Sequence, residues 1–283
     1  MSDIFIFNRQ HLRQQRRRAA ENFSRHSFLF DWAAEQILDR LRDIKKDFPV
    51  GYGIGNRAPA TFWQQLKTLK QIDALYVSDL IDSPIIADSE LIPFAENSAD
   101  LVVSVLDLHS VNDLPGTLAQ IKKTLKPDGL FIGCMLGGET LFELRESLMN
   151  AEINLTGGAS PRVSPFADKP QAGALMQRAG FSLPVIDSEI LRVSYQTLFN
   201  LMSDLRGMGE SNTLHARRKN FTSSKIFMAA ADYYKSHFSD REDPDRITAS
   251  FEIIFMLGWS PHESQQKPLR RGSAEHSLAD FLK

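Results

Sequence analysis

The chain has 283 residues, 42% of them hydrophobic and 24% charged, with a formal net charge of −2. That length supports a large core, as one sizeable domain or a domain with a lobe, and the small net charge gives no global reason to bind nucleic acid. The single cysteine, Cys134, excludes an internal disulfide and suits a reducing cytoplasm; no apolar run reaches the ~20 residues of a membrane helix, and no apolar segment follows the N-terminal arginines as in a secretory signal.

Residues 1–47 read as an N-terminal helical cap. Arg9, Arg13, Arg16, Arg17 and Arg18 form a basic patch on its first helix. A solvated face is the favoured reading, and docking to an acidic protein is the other. Phe28–Ile44 is amphipathic, with Leu29, Trp32, Ala33, Ile37, Leu38 and Leu41 along one stripe. Phe48–Leu80 should hold the first strand–helix–strand unit. FPVGYGIGNRAP carries Gly53 and Gly55 as a G-x-G, and Pro59 can start a helix through Phe62, Leu66 and Leu69. Ala74–Ser78 is a strand ending at Asp79. That acid follows Gly53 by 79 − 53 = 26 positions, near the ~20 at which nucleotide folds place a ribose-binding carboxylate. A strand-end turn former is the alternative.

Asp79 and Asp88 are nine positions apart. A helical crossover between parallel strands needs about 10–12 residues, so no helix is expected there and the next strand shrinks to Ile85–Ala87. Leu101–Leu106 is apolar except for Ser104 and reads as a strand buried on both faces. Asn112 or Asp113 can cap the following helix, with Pro115 in its first turn and Leu114, Leu118, Ile121 and Leu125 at helical spacing. Pro127-Asp128-Gly129 is a turn, and Leu130–Met135 is a second buried strand, parallel to the first with a right-handed crossover.

Beyond Gly137-Gly138 the pattern predicts a helix over about Thr140–Ala151, a loop over Asn154–Asp168 and a helix over Gln171–Ala179 closed by Gly180. Leu183–Val193 reads as a strand, Tyr195–Arg206 as a helix broken by GMGESN, Ser223–His237 as a helix and Thr248–Leu257 as the last strand. The polar tail begins at Gly258. No metal site is expected. The seven histidines show no H-E-x-x-H or clustered Cys/His spacing, and the adjacent His262 and Glu263 would point to opposite faces of a strand. No G-x-S-x-G elbow is present, and no catalytic side chain declares itself.

The run IPF (Ile92–Phe94, where the family has LPF), DLVVS, LH, VNDL and LKPDG resembles the second half of class I S-adenosylmethionine-dependent methyltransferases. MLGGETLFELR, GGASPRVSPF, GMGESN and PHESQ with PLRRGSA resemble, more narrowly, the mitochondrial complex I assembly factor 5 family of arginine hydroxylases and its alphaproteobacterial relatives. Malonyl-carrier-protein methyltransferases of biotin synthesis are more distant kin. The resemblance implies an α/β fold: a doubly wound, mainly parallel, seven-stranded-type sheet of Rossmann-like form, with an N-terminal helical cap and one shortened edge. It divides the chain into a cap (1–47), a cofactor-binding core (48–138), a C-terminal half with substrate-side helices (139–257) and a tail (258–283). It implies S-adenosylmethionine as cofactor, held by Gly53, Gly55, Asp79, Asp88, Ser89, Leu106 and His109, and Glu210 and Asn212 as substrate-binding residues. Gly51 and Arg57 depart from the family's Gly-rich motif, which has an acid and a glycine there. The function implied is a methyltransferase acting on a protein or carrier-linked substrate. An arginine hydroxylase or assembly factor for respiratory complex I, and a non-catalytic pseudo-methyltransferase that binds a protein, remain open beside it. A complex I subunit is the partner implied.

Overall fold

The computed structural model describes residues 5–266. The cap is α1 (Arg9–Ala19), a 3-10 segment and α2 (Phe28–Arg42). β1 (Val50–Ile54), α3 (Ala60–Leu69) and β2 (Ala74–Asp79) make the first βαβ unit. β3 is only Ile85–Ile86, and no helix separates it from β2. β4 (Ala99–Val105), α4 (Leu114–Thr124) and β5 (Leu125–Leu136) make the central unit, where the Asp113 carboxylate accepts the Gly116 amide as N-cap. α5 (Phe142–Thr156), α6 (Lys169–Arg178), β6 (Ser182–Tyr195), α7 (Leu198–Gly207), α8 (Ser224–His237) and β7 (Ile247–Trp259) complete the chain.

The seven strands lie in the order β3-β2-β1-β4-β5-β7-β6. β1 through β5 pair parallel, and β7 pairs antiparallel with both β5 and β6. The central strands are covered on both faces. One apolar cluster joins α2, α3, α5, α7 and α8 to one side of the sheet, and a smaller one joins α4 and α6 to the other. The parallel strands therefore end together at one rim, where ligands of open α/β sheets bind.

Four readings of the sequence change. Pro127-Asp128-Gly129 is a bulge inside β5 rather than a turn before it. The register with β4 shifts between Ala99 and Leu101, and Asp128 takes a left-handed φ of 61° held by its amide bond to Ser260 O. Tyr195 ends β6 instead of starting a helix, because Thr197 is the cap: its hydroxyl accepts the Asn200 amide. β7 runs two residues into the expected tail, and Trp259 packs on Phe48. Finally, the basic face of α1 is not solvated. Arg17 and Arg18 are exposed, but Arg16 is 1% exposed and Arg9 and Arg13 are half-buried. Positions 9, 13 and 16 share one helix face, and that face is turned onto the acidic rim of the sheet.

Candidate functional site

At the rim, β1 opens into the Gly-rich turn. Gly55 has φ of 81°, and a Cβ there would fall 2.6 Å from Asp107 Cβ. A Cβ at Gly53 would fall 2.6 Å from Trp63 Cη2. Both glycines are needed so that this chain's own side chains can pack on the turn.

β2 delivers Asp79, 2% exposed. Its Oδ2 accepts the Asn56 amide at 2.9 Å, and its Oδ1 accepts the Ile81 amide at 2.8 Å and the Asp82 amide at 3.4 Å. Asp88 receives Arg9: Nη2 reaches Oδ1 at 2.5 Å and Nε reaches both oxygens at 3.1 Å. Arg13 Nε donates to Leu80 O at 3.0 Å. α1 is thus riveted to the edge that lacks its helix.

β4 delivers Asp107, fully buried, against the fully buried Arg16 at 2.5 Å, with the Ser89 hydroxyl donating to the other oxygen. Burial alone would raise the Asp107 carboxyl; Arg16 and then Arg9 override it and hold the group well below the ordinary carboxylate range. His109, in a 3-10 turn just beyond β4, lies with Nε2 3.1 Å from Glu210 Oε2. Arg57 stacks over Phe23 and Phe30, donates to Met208 O and sits 3.4 Å from Glu210 Oε1. Burial, and then repulsion from Arg16, pull the Arg57 guanidinium down to about 10. Burial would raise Glu210, but His109, Arg57 and Arg16 hold it below its ordinary value, as an anion.

Next to this cluster opens a cavity of 290 Å³. Its walls come from α5, α7, α8 and the end of β7, and its floor includes His109 and Glu210. None of Gly53, Gly55, Asp79, Asp88 or Ser89 lines it. Of the residues singled out in the sequence, the structure therefore gathers Gly53, Gly55, Asp79, Ser89, His109 and Glu210 around one rim, with Asp88 linked through Arg9. Leu106 is a core residue packed with φ of 48° and its amide on Cys134 O. Asn212 ties loops together, Nδ2 to Pro161 O at 2.8 Å and Oδ1 from the Leu214 amide at 3.0 Å, while also lining the cavity. Sequence reading missed Asp107 and Arg16. Asp107 carried the same signal as Asp79, an acid directly after a buried strand; Arg16 was hidden among arginines of which two are indeed solvated.

The strand order and rim site define the class I S-adenosylmethionine-dependent methyltransferase superfamily. A methyltransferase-domain family model matches residues 60–133. The Bacillus halodurans protein BH2331 (TM-score 0.52, 14% identical, covering 80% of this chain and 98% of that one) and Bacillus subtilis YcgJ (0.51, 11%, 81% and 98%) share the fold. Within that class the chain belongs to the family of the arginine-hydroxylase NDUFAF5 proteins. It is 42% identical to the mitochondrial arginine-hydroxylase NDUFAF5 of Mus musculus over 98% of this chain and 84% of that one. The Danio rerio counterpart is 36% identical over 98% and 90%. The malonyl-[acyl-carrier protein] O-methyltransferase of Xylella fastidiosa is 28% identical over 98% and 95%.

S-adenosylmethionine fits this rim in part. Among the described residues Arg16 Nε and Nη2 and Arg57 Nε are buried without hydrogen-bond partners, donors suited to a carboxylate. At the opposite end Asp79 already accepts three amides of roughly four bonds a carboxylate can take, and Arg9 covers Asp88.

Proposed function

We propose that the chain acts on an arginine side chain of a protein; its relatives at 36–42% identity are named arginine-hydroxylases. The observation that carries this reading is the wiring of Glu210 into the cofactor turn. Arg57 stands where the methyltransferase motif has glycine, and it reaches Met208 and Glu210 of GMGESN, the segment narrowest to this family. Glu210 is an anion in a cavity whose walls include Leu144, Leu148, Met202, Leu205, Phe227 and Phe251. An arginine's methylenes suit such walls, and its guanidinium suits a buried carboxylate. Glu210 orients that group, His109 holds Glu210, and Asn212 fixes the loops that form the mouth.

S-adenosylmethionine is the cofactor the superfamily implies, and when bound it supplies an electrophilic methyl group. Arg16 and Arg57 would hold its carboxylate, and its ribose would have to displace an amide from Asp79. A complex I subunit is the protein substrate we favour, in a reducing compartment such as the cytoplasm that suits the buried Cys134 thiol. A second reading, a partner-binding protein without catalysis, is favoured by the closed state of Asp79 and Asp88.

Co-expression of the full chain with complex I subunits, followed by mass spectrometry, tests these readings. Gain of one oxygen on an arginine supports hydroxylation, gain of a methylene supports methyl transfer, and no gain supports the partner reading. Glu210→Gln should lower either modification by roughly tenfold or more, the loss of one charge-assisted hydrogen bond. Modification unchanged in Glu210→Gln would remove Glu210 from the site.

A further inference from the structure

Arg162, Arg206, Arg217 and Arg218 line the cavity; Arg206 and Arg218 are exposed at its mouth, Arg217 is half-buried beside them, and the Arg162 side chain is only 15% exposed. Among the described residues Glu210 is the one carboxylate in its lining, and it lies against His109 and Arg57. Arg162 and Arg218 lean on the buried Glu152. Arg206 is exposed and makes no side-chain hydrogen bond or ion pair among the described residues, and Arg217 uses one N–H, to Leu214 O. Lys219, also exposed, follows directly. Two residues on, Phe221 is 92% exposed. Burial, and then the nearby charges of Arg217 and Arg18, keep the His11 imidazole below its ordinary value.

A pocket with one buried carboxylate, Glu210, and with cations at its edge, of which Arg206 and Arg217 have no carboxylate partner among the described residues, discriminates along its depth. The floor selects a cation, and the mouth repels one. We infer that the target arginine is presented on a segment rich in aspartate and glutamate, which docks on Arg206, Arg217, Arg218 and Lys219 while Phe221 buries against an apolar neighbour. This deepens the protein-arginine reading and rests on it for the identity of the inserted side chain. Flanking acids lower the cost of bringing an arginine past four positive side chains, raise its local concentration at the mouth and set which arginine of a protein is reached.

The test is fluorescence anisotropy of labelled peptides on the full chain, beside the co-expression assay. One peptide carries a single arginine between pairs of glutamates; a second has glutamines in their place; a third has lysines. The acidic peptide should bind roughly tenfold tighter than the neutral one at low salt, as expected for a few exposed ion pairs, and the advantage should shrink as salt is raised. The paired variant Arg217→Glu/Arg218→Glu should lose that advantage and gain affinity for the lysine peptide, and Arg206→Glu alone should do so in part. Citrulline in place of the arginine should weaken binding of the acidic peptide. If all three peptides bind alike, or the charge-reversed chain keeps the parental order, the inference is overturned. If the peptides discriminate but co-expression gives no modified arginine, the docking surface stands and the catalytic reading fails. If arginine is modified equally by parent and charge-reversed chains, catalysis stands and this inference fails.

Discussion

Arg16 and Asp107 bear most of the electrostatic consequence at the scale of single residues. Each is fully buried; the Arg16 guanidinium is charged throughout, and it keeps the Asp107 carboxyl ionised. Removing one partner strands the other charge away from water. Asp107→Asn should therefore cost about 3–5 kcal/mol, whereas adding Arg16→Met to it should restore much of the loss, since replacing a whole buried pair by apolar groups is often near neutral. Chemical denaturation of the two single variants and the double variant measures this. The pH dependence has a definite sign. The folded Asp107 carboxyl titrates below its unfolded value of about 3.9, so its contribution is complete above about pH 5 and is lost as pH falls through the folded value. Stability of the parent should thus fall more steeply below pH 5 than that of Asp107→Asn, and equal slopes would contradict the pair as described. Burial pushes the Cys134 thiol the other way, up to about 12, so it stays protonated and unreactive in the folded chain.

At the scale of elements, α1 has no large apolar face and is held by its arginines, which rank in a clear order. Arg16 is buried and ion-paired, Arg13 is half-buried with one carbonyl bond, and Arg9 is bonded to an Asp88 carboxylate that is itself 28% exposed. Substitution by methionine, which keeps the stem, should lower the melting temperature most for Arg16 and by clearly less for Arg13 and Arg9, where about 1–3 kcal/mol each is the ceiling for a charge-assisted bond. Equal effects at the three positions would mean that α1 docks by its apolar residues instead. The same helix shows why sequence reading succeeded in part. Its existence was legible as the first helix of the cap over residues 1–47, but the direction of its basic face was not, because an arginine beside an unseen carboxylate looks like an arginine beside water. The β5 bulge was hidden for a similar reason. Pro-Asp-Gly signals a break, and only the antiparallel neighbour β7, with Ser260 bonding both Asp128 and Gly129, keeps the strand going through it.

Over the whole molecule, the sheet is built unevenly, and that asymmetry was the most legible feature of the sequence. Nine positions between Asp79 and Asp88 are too few for a crossover helix, and the structure has none. The consequence is an under-covered edge: Tyr76, Ile86 and Leu91 are 49%, 53% and 74% exposed, while most of β4, β5 and β7 is buried on both faces. The contents of the rim were less legible, because the contacts that define it join residues far apart in the chain, such as Arg57 and Met208, 151 positions apart, and His109 and Glu210, 101 apart. Local opening is easiest where few apolar contacts must be broken, so amide hydrogen exchange should be fastest across 80–91, intermediate in β1 and β2, and slowest in β4, β5 and β7. The cofactor question can be read from the same measurement. If S-adenosylmethionine enters the rim, its ribose must compete for Asp79 with the Asn56, Ile81 and Asp82 amides. Saturating ligand should then change exchange at those amides and slow it along 52–57, while β6 and β7 stay as they were. An exchange pattern that saturating S-adenosylmethionine leaves unaltered, in a chain that still modifies an arginine, would mean that this family member works with Asp79 held by its own Asn56, Ile81 and Asp82 amides and without that cofactor.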